Sequence, residues 1–492
     1  MQRFAKILII VGGIFLIGGL LMPILAFDPI KLQGVLTSDG HFDSIAYFVF
    51  SELQNGLILA GITLIILAIL FLLCQREIIK LFSWPQLYFL LLVLAIQFIL
   101  GLIYITAASY IPDGDYDWYH RQASNISKGL GVITILGEPT AFWGVGYPLL
   151  LSIFYKIFGA DPFVAKVLNL FLFGGITLFS FLVAEKLFGG HLARRATLIM
   201  AFLPSAIFYA ITPTSEAPLT LCTIIILYLT LRKSSIINSL LIGILLGYAN
   251  LVRAVLIFFP VIIGIFVYLR DGKLKPALLH ILLIFTVAEV VMLPWQVRNY
   301  KVFDSFVLSS TNSGYNVYMG NNPGATGGVN PPGRYISSED RLKMTSMNEV
   351  ERDKYFYKMG IQYMLSNPGH VLILSLKKVI HLFIKDSKCV TYAFNEQFEQ
   401  FNPAILMSLL LITEGYYYSL GIAFLIGFFF LMKYKSIRER IWIIIGTILY
   451  FILIYLPFTA EGRYHMPLLP LFAIVACLPK FIDKQNEVKQ IA

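Results

Sequence analysis

The chain has 492 residues, of which 58% are hydrophobic and 13% charged, and its mean hydropathy of +0.77 is far above that of a soluble domain, so a bilayer is its solvent. The formal net charge of +10 does not point to a nucleic-acid partner, because the basic residues sit in short clusters between apolar runs, as the positive-inside rule produces. Of the four cysteines only Cys389 lies in a loop, which argues against a disulfide framework or a zinc site.

Apolar runs long enough to span a hydrocarbon core need roughly 17 to 25 residues. About twelve are present: 5–27, 56–74, 85–110, 162–186, 191–211, 214–232, 236–251, 254–270, 276–296, 404–432, 438–459 and 464–481. The first is too long for a cleaved signal and has no small-residue cleavage site. Basic clusters such as Arg76/Lys80, Arg194/Arg195, Arg270/Lys273/Lys275 and Lys433/Lys435/Arg438/Arg440 occupy alternate loops, which predicts that these loops and both termini are cytoplasmic. The fold expected is an all-α polytopic membrane protein. Residues 369–386 carry Lys377, Lys378, His381 and Lys385 and read as an amphipathic helix lying on the outer surface, with the lysines on anionic lipid. Tyr147–Phe158 is too short to cross and reads the same way.

Four regions divide the chain: a hairpin 1–84, a transmembrane core 85–296 with an acid-rich outer loop 111–161, an extracytoplasmic region 297–403, and C-terminal spans 404–492. In the outer loop Asp113, Asp115 and Asp117 directly follow a span, where carboxylates must be solvated, paired or used. The region 297–403 holds turn-rich stretches at 320–328 and 330–334, then helical spacing over 339–366.

The topology gathers Asp113, Asp115, Asp117 and Glu216 with Arg253, Arg298, Lys377, Lys378, Arg463 and His465 on the outer side. Carboxylates that deprotonate an acceptor and cations that stabilise a phosphate leaving group are the two needs of glycosyl transfer. On residue chemistry alone, Arg253 serves equally as a snorkelling anchor, and His465 reads first as a structural hydrogen-bonder.

The run Asp115-x-x-Trp118-Tyr119-His120, then Pro139 to Pro148, Thr214-Ser215-Glu216, Leu251-Val252-Arg253, Pro294 to Tyr300, Gly320-Asn321-Asn322-Pro323 and Arg463-Tyr464-His465-Met466-Pro467 resembles GT-C fold glycosyltransferases. The resemblance is to the glycosyltransferase family 39 group, with its protein O-mannosyltransferases and lipid A aminoarabinose transferases, and covers roughly residues 85–482. It implies a polyprenyl-phosphate-linked sugar donor, a glycan, lipid or protein acceptor, and a loop aspartate as base. The position matching the family's Asp-x-x-x-Tyr spacing is Asp115, paired with Tyr119, and Asp113 is the alternative. The chain departs from the aminoarabinose transferases at Tyr116 and Phe142, where they carry an acid and a phosphate-binding lysine, so the phosphate grip falls to Arg253 and Arg463, with Glu216, Arg298 and His465 as further substrate-binding candidates. Metal use in the family varies; a divalent cation is left open, since no dedicated ligand cluster is present. The expectation is a plasma-membrane enzyme with an outward-facing site. A transporter or lipid flippase is the competing class, and it needs ionisable groups near the bilayer midplane; only Glu289 and Glu414 fall well inside spans.

Overall fold

The computed structural model describes residues 9–17, scattered positions from 58 to 69, 80–108, 112, 114–393, 403–433 and 435–479. Among these every regular element is helical, apart from an isolated antiparallel bridge between Ile133 and Pro139. A chain without water around it must satisfy its backbone within each segment, and helices do so.

Four helices among the described residues are long and apolar enough to cross a bilayer: Gln86–Ala107, Pro162–Phe188, Leu274–Phe303 and Ile405–Met432. The pair Gly190–Ala201 and Pro204–Ile211, bent by 50°, makes a fifth if counted as one broken span; Pro204 in the first turn of its second half explains the break. The protein is an integral membrane protein. Local signals set the boundaries. The Asp161 side chain accepts from the Phe163 N–H, with Pro162 in the first turn, and Gly189 ends the same helix at φ 85°, a conformation that suits glycine.

Several expected spans are shorter than a crossing. Residues 214–232 and 236–251 form the apolar helices Glu216–Thr230 and Ile236–Val252, and 254–270 is helical only from Phe259 to Asp271. Residues 464–481 open as a 3-10 turn, Gly462–Leu468, before the helix Leu469–Ala476, because Pro467 and Pro470 withhold two helix donors. The side chains from Leu469 to Val475 are buried, so this helix meets protein and not lipid. The expected spans 5–27 and 56–74 lie largely outside the described residues.

The acid-rich loop is not irregular. Gly114, at φ 51°, starts a helix Gly114–Ser127 with Asp115 and Asp117 in its first turn, where carboxylates complement the helix dipole. Tyr116, Trp118, Tyr119, Gln122 and Ala123 turn inward. A second helix, Gly146–Phe158, follows.

The outer region builds a small core from Tyr318, Met344 and Phe356, on helices Ser313–Gly320, Ser338–Thr345 and Glu349–Ser366. The last begins with a capping box, Asn348 and Glu351. Asn321 and Asn322 donate to the Val317 and Tyr318 carbonyls, and Asn321 also reaches Pro457 O at 2.8 Å. The Gly-Asn-Asn-Pro motif is therefore a helix stop tied to the chain just after the helix Lys435–Tyr455. Helix Pro368–Phe383 buries Leu374, Lys378 and Leu382. Lys378 does not lie on lipid as expected: it is 1% exposed and donates to Asn321 Oδ1 (3.0 Å) and Leu456 O (2.7 Å). Burial lowers its pKa to about 8.

Asp353 accepts the Gly314 N–H at 2.7 Å and so caps Ser313–Gly320. Burial raises its carboxyl to about 6, against the opposing pull of the Gly314 and Tyr315 backbone bonds. A folded value above the unfolded one gives stability that is fully present below about 4 and is lost as pH rises through about 6. Thermal unfolding of the protein should show this slope, and Asp353→Asn, which keeps the acceptor and removes the titration, should flatten it; an unchanged slope in the variant would refute the assignment.

Candidate active site

Because Gly114–Ser127 is a helix, Asp115 and Asp117 point about 200° apart around it. Asp117 pairs with Arg121 one turn on, at 2.7 Å. Asp115 turns the other way and meets Arg463 Nη2 at 3.0 Å, across 348 residues of sequence. Asp113 lies outside the described residues.

Arg463 is the hub of the cluster. Its Nε donates to Glu461 Oε2 at 2.7 Å and stands 3.6 Å from Glu216 Oε1. Glu216 also receives Arg253 Nη2 at 3.0 Å. It is fixed by Thr214 and by Ser215, whose hydroxyls donate to Oε2, which accounts for the Thr-Ser-Glu motif. Arg253 lies over the Tyr464 ring at 4.4 Å, and its Nη1 is buried with no hydrogen-bond partner among the described residues. Glu461 further accepts from the Tyr392 hydroxyl at 2.7 Å and faces Lys388 Nζ at 3.3 Å. Burial pushes the Glu461 carboxyl up, but Arg463, Tyr392 and Lys388 together hold it below the ordinary glutamate value. Among the described residues three carboxylates thus face three cations.

These groups open on a cavity of about 420 Å³. Asp115, Arg253, Glu461 and Arg463 line it together with Tyr119, Phe142, Trp143 and Tyr315, and with the neutral polar side chains of Ser309, Ser310, Asn312, Ser313 and Asn316. Of the three carboxylates Asp115 is the most open, its side chain 34% exposed against 1% for Glu216 and 6% for Glu461. It is the carboxylate best able to reach a substrate hydroxyl. Tyr119 is buried edge-on against Tyr147 at 5.8 Å and forms part of the wall.

Glu216 does not line this cavity but backs Arg253 and Arg463, and two other expected substrate-binding residues lie elsewhere. His465 is fully buried, bonded to the Leu382 carbonyl at 2.7 Å and to Asp386 at 3.2 Å, and stacked on Tyr417 at 4.7 Å; it ties residues 382–386 to the spanning helix Ile405–Met432. Arg298 donates to the carbonyls of Val132 (2.9 Å) and Thr140 (3.0 Å) and staples the outer loop. Neither lines the cavity.

Sequence reasoning overlooked Glu461, Lys388, Tyr392 and Glu349. Glu461 stands two residues before Arg463, just ahead of the Arg463 to Pro467 motif, and an acid that close to a proposed phosphate ligand was the available signal. Glu349 accepts from the Thr140 hydroxyl (2.6 Å), from the Ala141 N–H (2.8 Å) and from the Thr311 hydroxyl, tying together two stretches that continue into the lining residues Phe142 and Ser310. No sequence signal pairs these positions. Among the described residues no group of three or more His, Cys, Asp or Glu side chains is placed to hold a metal ion.

The glycines of Trp143-Gly144-Val145-Gly146 let the loop touch the end of Ile236–Val252. A Cβ on Gly144 would overlap the Val252 carbonyl, and one on Gly146 would meet the Val252 backbone nitrogen at 2.5 Å. The contact seats Trp143 beside Arg253. Gly144→Ala should therefore cost about 1–3 kcal/mol of stability through overpacking and weaken ligand binding in the cavity; a variant with unchanged unfolding temperature and affinity would contradict the close approach.

Residues 144–295 match the family described as dolichyl-phosphate-mannose-protein mannosyltransferase. None of the curated proteins matches the sequence. Among solved structures, the archaeal oligosaccharyltransferase AglB from Archaeoglobus fulgidus, in complex with an inhibitory peptide and a dolichol-phosphate, is similar at 15% identity and a TM-score of 0.49. That alignment covers 83% of this chain, which spans only 52% of the oligosaccharyltransferase. ArnT from Cupriavidus metallidurans, bound to undecaprenyl phosphate, is similar at 14% identity and a TM-score of 0.39, over 80% of this chain and 77% of ArnT. By its family match and the motifs built into this cavity, the chain resembles the family 39 group of GT-C glycosyltransferases.

Proposed function

We propose that the protein transfers a sugar from a polyprenyl-phosphate-linked donor to a hydroxyl-bearing glycan, lipid or protein acceptor on the extracytoplasmic side of the plasma membrane, within a GT-C architecture of about twelve spans, both termini cytoplasmic. The observation that carries the reading is the meeting of Asp115 and Arg463 in one cavity. Arg463 and Arg253 take the donor phosphate. A guanidinium fork suits phosphate oxygens, and Arg253 Nη1 is buried with no hydrogen-bond partner among the described residues. As the phosphate draws Arg463 away, Asp115 is released as base. The acceptor oxygen attacks the anomeric carbon, Asp115 takes the hydroxyl proton, and the anomeric C–O bond breaks with its electrons going to the polyprenyl phosphate. Because attack and departure occur on opposite faces, the anomeric configuration inverts. The domain division follows the roles: the core 85–296 supplies Asp115, Glu216 and Arg253, the region 297–403 supplies the neutral wall, and the segment 404–492 supplies Arg463; the hairpin 1–84 has no part in this account.

The test is incubation of the purified protein with radiolabelled polyprenyl-phosphate sugars and a mixed acceptor extract. Free polyprenyl phosphate should appear together with label in an acceptor of inverted configuration. Failure to consume any such donor, by protein whose arginines bind polyprenyl phosphate, would overturn the transfer reading.

A further inference from the structure

We infer that the Ile135–Leu136 turn is a bilayer-docking tip, seated in the outer leaflet beside the helix Leu274–Phe303. This rests on the membrane assignment of the chain and not on its transfer chemistry. Between its two helices the outer loop forms a short hairpin. The Thr134 N–H donates to Glu138 O at 2.7 Å, the Gly137 N–H to Thr134 O at 3.1 Å, and the Thr140 N–H to Val132 O at 3.1 Å. Gln122, fully buried, holds Ile133 from both sides: its Nε2 donates to the Ile133 carbonyl at 2.8 Å, and its Oε1 accepts the Ile133 N–H at 3.0 Å. The hairpin is pinned, yet at its tip Ile135 and Leu136 are each 86% exposed. Turns that face water draw Gly, Asn, Asp, Ser and Pro. Two adjacent aliphatic side chains fixed outward present apolar area that only a non-aqueous phase covers favourably.

The base of the hairpin identifies that phase. Arg298 donates to the carbonyls of Val132 and Thr140, one on each side of the hairpin. It belongs to the spanning helix Leu274–Phe303, and its guanidinium lies over Trp295 at 4.8 Å. Trp and Arg are residue types of the membrane boundary. The exposed apolar surface of the same helix includes Leu282, Val290, Leu293 and Val297, and Val297 directly precedes Arg298. The tip therefore continues a lipid-facing surface. Three extended residues reach about 10 Å, the distance from that boundary to the depth at which interfacial elements seat. Lys128, exposed at the foot of the hairpin, adds a cation for anionic headgroups.

The experiment attaches an environment-sensitive fluorophore to Leu136→Cys, and separately to Ile135→Cys, in full-length protein in nanodiscs of phosphatidylcholine and phosphatidylglycerol. Leu342→Cys, at a position 73% exposed in the outer region, is the aqueous reference. The tip probes should emit to the blue of the reference, be quenched several-fold more strongly by lipids carrying a shallow spin label, and be shielded several-fold from aqueous iodide. Iodide quenching equal to that at position 342, with no lipid quenching, would overturn the proposal and leave the tip facing water or a soluble partner. Both positions are surface sites, so labelling leaves the fold intact, and donor turnover of the labelled protein reads the transfer chemistry independently.

Discussion

Asp115→Asn should lower turnover by at least the roughly hundredfold typical of a lost general base, while donor binding survives. Asparagine keeps the shape and still accepts a hydrogen bond from Arg463 Nη2, now at 3.0 Å from the carboxylate, so the fold should be retained. Asp117→Asn removes only a partly exposed pair with Arg121 and should cost little, since such pairs contribute about 0–1 kcal/mol. Single-turnover assays with labelled donor separate the two. Near-normal chemistry in Asp115→Asn would remove the base from this position. If Asp113→Asn then abolished transfer, the register along the loop would be wrong by two residues and the enzyme class would stand.

Arg463→Ala should be the most damaging substitution for stability. It leaves Asp115, Glu216 and Glu461 with one bridging cation fewer, and removing one partner of a buried ion cluster costs about 3–5 kcal/mol. Arg463→Lys should recover only part, because one ammonium cannot meet Glu461, Glu216 and Asp115 as the fork does. The measurements are unfolding temperature and affinity for polyprenyl phosphate. If Arg463→Ala unfolds, Arg253→Lys keeps the question open to test, since it retains charge at Glu216 while losing the free Nη1. Unchanged affinity in a folded Arg463→Lys and in Arg253→Lys would assign these arginines to structure alone.

What the sequence revealed follows from what each signal encodes. Hydropathy sums over many residues, so the spans around Gln86–Ala107, Pro162–Phe188 and Leu274–Phe303 stood out. Alternating basic clusters ordered the loops and put Asp115, Glu216, Arg253 and Arg463 on one expected side. Direction was not legible. His465, Arg298 and Lys378 carry charges or polar rings that look like ligands, yet each is consumed by backbone carbonyls or a buried acid. A residue's type does not say which way it points, and that choice depends on contacts far away in the chain. Glu349, bonded to Thr140 across 209 residues, is one such case. The helix Gly114–Ser127 was hidden differently: three aspartates after a span resemble a loop, although aspartates in a first turn also favour a helix start. Glu414, one of the two acids expected to fall well inside spans, accepts the N–H groups of Ser387 (3.0 Å) and Asp386 (3.4 Å) and so serves as an anchor.

The charge balance around Arg463 bears on how a reaction cycle would end. A sugar phosphodiester carries one negative charge, whereas a phosphomonoester carries about 1.5 to 2 at neutral pH, so in the proposed cycle Arg253 and Arg463 would hold the spent carrier more tightly than the donor. In that cycle Asp115, protonated by the acceptor, would have no claim on Arg463 until it lost that proton; once ionised it would compete again for the Nη2 atom that it meets at 3.0 Å. In the proposed cycle the base is thus also the evictor, and deprotonation of one aspartate couples recovery of the catalyst to departure of the lipid.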